Sequence, residues 1–203
     1  MYLVLRRGAV GSLPVAGQLA GAAAVACVRA FADDPVVAAW RERPRKVCLR
    51  ARNPGQWRDV LAERHALAGE PEGAAVAALP PQPPAPRGSL LGRLQAMSGE
   101  LEGAPDGPPG EAFTYVLNPA APMSSGKTLA QIGHAAVMAA DTGELEDWVA
   151  ADCPARVVAP EAAGFAVAEA SERCVARVVD AGLTELPPGT LTVVALRPDR
   201  TPA

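Results

Sequence analysis

Residues Pro122–Ala140 read PMSSGKTLAQIGHAAVMAA, a tight polar turn that opens straight into an alanine-rich helix. Ser124 or Ser125 can cap that helix, because a serine oxygen accepts from the free N–H groups of the first turn. At about 100° per residue, Lys127, Gln131 and His134 (i, i+4, i+7) fall on one narrow stripe, while Leu129, Ile132, Ala136 and Val137 mostly point elsewhere. A cation, an amide and an imidazole therefore line up along one face. Such a stripe is either a solvated helix face with one buried histidine or the wall of a site.

The basic residues of the chain favour the second reading. There are 17 arginines and only two lysines, Lys46 and Lys127. A lysine at the mouth of a helix in so arginine-biased a chain suggests that a compact point charge is wanted there rather than a planar fork.

A second segment, Val178–Leu196, reads VVDAGLTELPPGTLTVVAL. Asp180 ends an apolar run and so sits at a strand terminus, Gly182 permits an unusual backbone angle, and Thr184 leaves the turn with a hydroxyl that donates and accepts. Pro187 to Thr190 then turns the chain into a last strand. Turn stabilisation alone would also account for Asp180 and Thr184.

The two segments together, MSSGKTLAQIGHA followed by VVDAGLTELPPGTLTVVAL, resemble the archaeal and eukaryotic (type II) peptidyl-tRNA hydrolases. The resemblance spans residues 113–198. It implies a three-layer α/β/α domain with a mixed four-stranded sheet, and an enzyme that hydrolyses the ester of peptidyl-tRNA. Lys127, His134, Asp180 and Thr184 would be catalytic, and Gln131, Ser125 and Gly126 would meet the substrate. Lys127 with the helix N-terminus would stabilise the oxyanion or a phosphate, Asp180 would orient Thr184 and water, and His134 would position water or shuttle a proton. No cofactor or metal is required.

Two alternatives stand beside it. APMSSGKT (Ala121–Thr128) fits a loose phosphate-binding loop of a nucleotide binder, although its first position is Ala rather than Gly. The same fold could also be a non-catalytic module that binds tRNA or a protein.

Working outward, 203 residues with 49% hydrophobic content can bury a sizeable core. The order strand, alanine-rich helix, short helix, strand, helix runs from Tyr2 and recurs after Phe113, which makes the chain a diverged tandem. The expected strands and helices of the first half are Tyr2–Leu5, a helix from Pro14, Pro35–Trp40, Lys46–Ala51 and Pro54–Arg64. Those of the second are Phe113–Leu117, the motif helix, Glu144–Ala151, Arg156–Ala159, Glu161–Arg173, Cys174–Val179 and Leu191–Leu196. Matching Gln18 to Gln131 puts Pro14 at Lys127 and Gly21 at His134, so the first copy lacks the motif. Domains are thus expected at 1–79 (a degenerate copy), 80–112 (a Pro/Gly-rich linker) and 113–203 (the catalytic copy), with the two copies packed as a pseudo-dimer or the chain as a homodimer.

Net charge is −3, unevenly spread. Residues 1–79 carry 11 basic and 7 acidic side chains, and 113–203 carry 6 and 11. The basic surface that tRNA needs would lie in the first half. In a strand over Lys46–Arg52, alternation would put Lys46, Cys48, Arg50 and Arg52 on an open side and Val47, Leu49 and Ala51 on the core side, so Arg43, Arg50 and Arg52 are the candidate tRNA contacts. Cys27, Cys48, Cys153 and Cys174 form no zinc or redox motif and read as small buried hydrophobes. The start lacks the pattern of a secretory signal, and no apolar run reaches the roughly 18 residues of a membrane span. A cytoplasmic protein is expected.

Overall fold

The computed structural model describes residues 1–82, 88–99, 101–103 and 107–199. Residues 83–86 of the Pro80–Pro86 stretch, 104–106 of Gly103–Gly110, and 200–203 lie outside the described residues.

The first half runs β1 (Tyr2–Arg6), α1 (Leu13–Ala30), α2 (Pro35–Glu42), β2 (Val47–Ala51), α3 (Pro54–Ala62), β3 (Ala66–Gly69) and β4 (Ala75–Leu79). Its helix starts are written locally. The side chains of Asp34 and Asn53 accept from Val36 N–H and Gln56 N–H, and each is followed by a proline whose missing N–H costs nothing there. The β3–β4 hairpin is new relative to the sequence reading. Its strands are rich in alanine, a weak strand former. A Glu70–Gly73 turn closes it, with Gly69 at φ +87 where a Cβ would stand 2.1 Å from the Ala74 carbonyl oxygen.

The intervening segment carries regular structure among its described residues. It forms α4 (Leu90–Arg93) and β5 (Gln95–Ala96), which pairs with β2 as a fifth, edge strand. Glu102 then exchanges backbone hydrogen bonds with Gly11 and Leu13.

The second half runs β6 (Thr114–Leu117), α5 (Ser125–Ala140), α6 (Glu146–Ala150), β7 (Arg156–Val158), α7 (Ala162–Ala170), β8 (Cys174–Val179) and β9 (Leu191–Leu196). Its four-stranded mixed sheet has the order β7-β6-β9-β8, and the first sheet has the order β3-β4-β1-β2-β5. In both, the first two strands are parallel and the remaining pairs antiparallel. The two halves thus share one element order and one sheet topology.

Each sheet is covered on both faces. Trp57 and Val60 of α3, with Leu91 and Leu94, cover the outer face of the first sheet, and Phe165 and Ala168 of α7 cover that of the second. Between the sheets, α1 and α5 lie against each other in one continuous core. Small residues permit the close approach. A Cβ on Gly17 would stand 2.8 Å from both Ile132 and Val157, one on Gly21 2.5 Å from the Tyr115 hydroxyl, and one on Gly133 3.2 Å from Leu3. Leu3 and Tyr115 hold matching places in β1 and β6, and counting from them sets Gly21 against Gly133 and the N-cap position Ser12, whose side chain makes no cap hydrogen bond, against Ser124. This register lies one residue from the Gln18–Gln131 match. It sets Val15, Leu19 and Ala22 opposite Lys127, Gln131 and His134, so the first half lacks the motif in this register as well.

Two expectations are corrected by this packing. By length and a mean hydropathy of 1.4, α1 could cross a membrane, contrary to the sequence reading; 61% of that helix is buried in the core. Nor does β2 have an open side. Cys48 is buried with its thiol donating to the Met97 sulfur at 3.6 Å, and Leu49 and Ala51 are buried on the opposite face, while Val47 is the exposed residue. The sheet has two covered faces because α5 occupies the side expected to be open.

Candidate active site

Three elements converge at the N-terminus of α5. Asn118 follows β6, its side-chain amide donating to the Leu191 carbonyl and its side-chain oxygen accepting from Ala120 N–H. The chain then turns into the helix. Ser124, not Ser125, is the cap, its Oγ accepting from Lys127 N–H at 3.2 Å. Asp180 follows the end of β8. Its backbone closes on Thr190 and Gly189, and its Oδ1 accepts from Gly182 N–H at 2.8 Å. Gly182 has φ +75, and a Cβ there would meet the Pro188 ring at 2.6 Å, so the turn that presents Thr184 requires glycine.

Lys127 binds the two motifs together. Its Nζ forms an ion pair with Asp180 Oδ2 and donates to Thr184 Oγ1 at 3.0 Å. Gln131 Nε2 donates to the same Asp180 oxygen at 2.5 Å. Asp180 is only 5% exposed, Gln131 is buried, and Thr184 is exposed. Burial pushes the Asp180 carboxyl up, but hydrogen bonds from Lys127, Gly182 and Gln131 outweigh it and hold it below its ordinary range. The carboxylate is therefore ionised at neutral pH and locked. Gln131 positions it instead of meeting a substrate.

Ser125 and Gly126 are not open to a substrate either. Ser125 is buried, its Oγ accepting from Leu101 N–H at 2.8 Å, and a Cβ on Gly126 would lie 2.0 Å from the Met97 carbonyl oxygen. The ordered intervening segment covers them. The helix N-terminus is also engaged, since the Glu185 carboxylate accepts from Ser124 N–H at 2.8 Å and from Ser124 Oγ at 2.7 Å. Sequence reading missed Glu185, because its reach back to Ser124 depends on how the Gly182 turn folds.

His134 does not join Asp180 and Thr184. Its Nδ1 lies 3.2 Å from Lys46 Nζ, and its ring stacks on Trp40, both from the first half. Burial, then the neighbouring Lys46 charge, pushes the imidazole down to about 2. The ring is therefore neutral at pH 7. Both lysines of the chain thus attend the α5 stripe, one at each end. Rarity was the only signal for Lys46 in the sequence.

Of the arginines, Arg43 and Arg52 are exposed, and Arg50 is half-buried with its guanidinium beside Gly99.

Residues 113–203 match the family model described as peptidyl-tRNA hydrolase PTH2. This part of the chain is similar to that family. No curated protein and no solved structure matches the chain. The matched segment holds Lys127, Gln131, Asp180 and Thr184 in one cluster, so these residues of the sequence resemblance are also neighbours in space.

Proposed function

We propose that this chain hydrolyses the ester bond of peptidyl-tRNA, releasing tRNA and peptide. The observation that carries this reading is Lys127 Nζ held between the buried Asp180 carboxylate and the exposed Thr184 hydroxyl. An ammonium has three N–H donors. Two are spent on Asp180 and Thr184, and the third is available to the carbonyl oxygen of the ester, where negative charge develops as water attacks. Because Thr184 Oγ1 accepts only one hydrogen bond from Lys127, it can take a proton from the attacking water while its own hydrogen passes to the ribose oxygen as the ester bond breaks, so the water oxygen ends in the peptide carboxyl group and the tRNA leaves with its hydroxyl restored. Asp180 is too enclosed to touch substrate. It fixes the ammonium, and Thr184 through it.

The first half is read as a degenerate copy of the same domain, serving as a structural and tRNA-binding partner through its excess of positive charge. A cytoplasmic setting, with four free thiols, fits this substrate. The phosphate-loop alternative loses its support because Glu185 occupies the helix start where a phosphate would bind.

Single-turnover hydrolysis of N-blocked against unblocked aminoacyl-tRNA by the purified chain tests the proposal. Cleavage of the blocked form alone is the expected result. Absence of cleavage would favour the non-catalytic module.

A further inference from the structure

The first half, which lacks the motif, nevertheless reaches the catalytic helix with one side chain. Lys46 precedes β2 and lays its stem over α5 where Gly133 leaves room, since a Cβ on Gly133 would come within 3.1 Å of Lys46 Cδ. The Lys46 ammonium sits 4.5 Å from the centre of the Trp40 ring and 3.2 Å from His134 Nδ1. The Trp40 and His134 rings are nearly parallel, 12° apart. Trp40 is fixed in turn by its Nε1 donating to the Arg45 carbonyl at 2.7 Å, one residue before Lys46. Lysine, indole and imidazole form a closed stack that joins the halves.

We infer that Lys46 is a positioning residue for the reaction proposed above, holding His134 in the tautomer with its proton on Nε2. Burial lowers the Lys46 amine to about 7, so at pH 6 it is an ammonium; an ammonium has donors and no acceptor, and the nitrogen facing it must then offer a lone pair. That nitrogen is Nδ1, and the ring proton is therefore on Nε2. Nε2 makes no hydrogen bond among the described residues, and it lies on the stripe that carries Lys127 and Gln131. A fixed N–H there is a donor for an oxygen of the substrate, such as a phosphate or ribose oxygen of the tRNA terminus. The charged and titratable groups that bear on this stack are Lys127 and Asp141 of the α5 region, Cys27 of α1 and the Met1 amine. None is a carboxylate in contact with the imidazole.

The inference rests on the proposed hydrolase reading only for its kinetic consequence. The chain has two histidines, His65 and His134, so ring nitrogen NMR on the full-length protein at pH 6 resolves the tautomer directly. The expected wild-type spectrum shows His134 neutral with its proton on Nε2. A proton on Nδ1, or a charged ring at that pH, would overturn the inference without any variant being made. In Lys46→Met, the ring is expected to sample both tautomers and to titrate at higher pH than in the wild type; an unchanged His134 spectrum in a folded Lys46→Met protein would also overturn it. Kinetically, Lys46→Met should lower kcat for N-blocked aminoacyl-tRNA on the order of tenfold with KM little changed. A rise in KM alone would reassign Lys46 to charge attraction for tRNA. If the wild-type chain cleaves no such ester while the tautomer is as stated, the hydrolase reading fails and the positioning geometry survives.

Discussion

Arg41 of α2 and Asp141 at the end of α5 form an ion pair across the two halves, 2.6 Å from nitrogen to oxygen. A second such pair joins Arg29, near the end of α1, to Glu146 of α6 at 2.7 Å. Both cations come from the first half and both anions from the second. The charge split along the sequence is thus, in part, a complementary interface. Pairing two first halves would oppose Arg to Arg, and pairing two second halves would oppose Asp to Glu.

Exposed pairs of this kind contribute little singly, about 0.5 kcal/mol, so the expected effect lies in reversal. Arg29→Glu with Arg41→Glu should lower the thermal midpoint, and adding Asp141→Arg with Glu146→Arg should restore most of it. A double-mutant cycle read by calorimetry checks this. Additive losses with no recovery would mean that the pairs do not interact.

Lys127→Ala should abolish ester hydrolysis, and Lys127→Arg should recover little, because a broad guanidinium cannot serve Asp180, Thr184 and a carbonyl oxygen from one nitrogen. Thr184→Ala should cut turnover on the order of tenfold or more with little change in stability, since its side chain is exposed. Near-normal turnover by the Lys127→Ala protein would remove the role assigned to that lysine.

Asp180 contributes to the acid limb of stability. Its folded pKa lies below the ordinary carboxylate value of about 3.9. The stabilisation is then full above that ordinary value and is lost as pH falls through the lower folded one. His134 acts over a wider range. Pushed down to about 2, it leaves the unfolded chain binding the extra proton below pH of roughly 6.5, so stability falls steadily as pH drops from there. His134→Gln should flatten the slope between about pH 6 and pH 4, and Asp180→Asn the steeper fall below it. Urea titrations across pH measure both.

Gly126→Ala should disturb the intervening segment rather than the helix. The added methyl would overlap the Met97 carbonyl, and relief by moving that strand away costs on the order of 1–3 kcal/mol. Hydrogen exchange should show lost protection at Met97, whose N–H donates to the Cys48 carbonyl. Unchanged protection there would show that the helix start yields instead.

Replacing Arg43 and Arg52 with Gln should raise KM for a tRNA substrate and flatten its dependence on salt, leaving the rate at saturation nearly unchanged. Arg50 is better left in place, since it packs beside Gly99. An unaltered salt slope would show that the first half does not supply the binding charge.

The grouping of Lys127 with Asp180 and Thr184 followed from the resemblance, while the sequence by itself determined the element order of the second half and the first five elements of the first, and narrowed the cap that starts α5 to Ser124 or Ser125. These follow from local rules: capping residues, prolines at helix starts, apolar period, and a turn that only glycine allows at Gly182. It placed β2 with one open face, because alternation records which residues share a side and not what lies over it. It missed the β3–β4 hairpin, where alanine carries little strand signal. What only the tertiary structure decided is the partner of each polar group. Whether His134 would meet Asp180 or Lys46, whether Ser125 would face substrate or Leu101, and whether the helix start would be empty or held by Glu185 all depend on close contacts between segments far apart in the chain. Those contacts are fixed by glycines at the α1–α5 interface and under the intervening segment, whose meaning is steric and becomes visible only when the opposing atoms are in place.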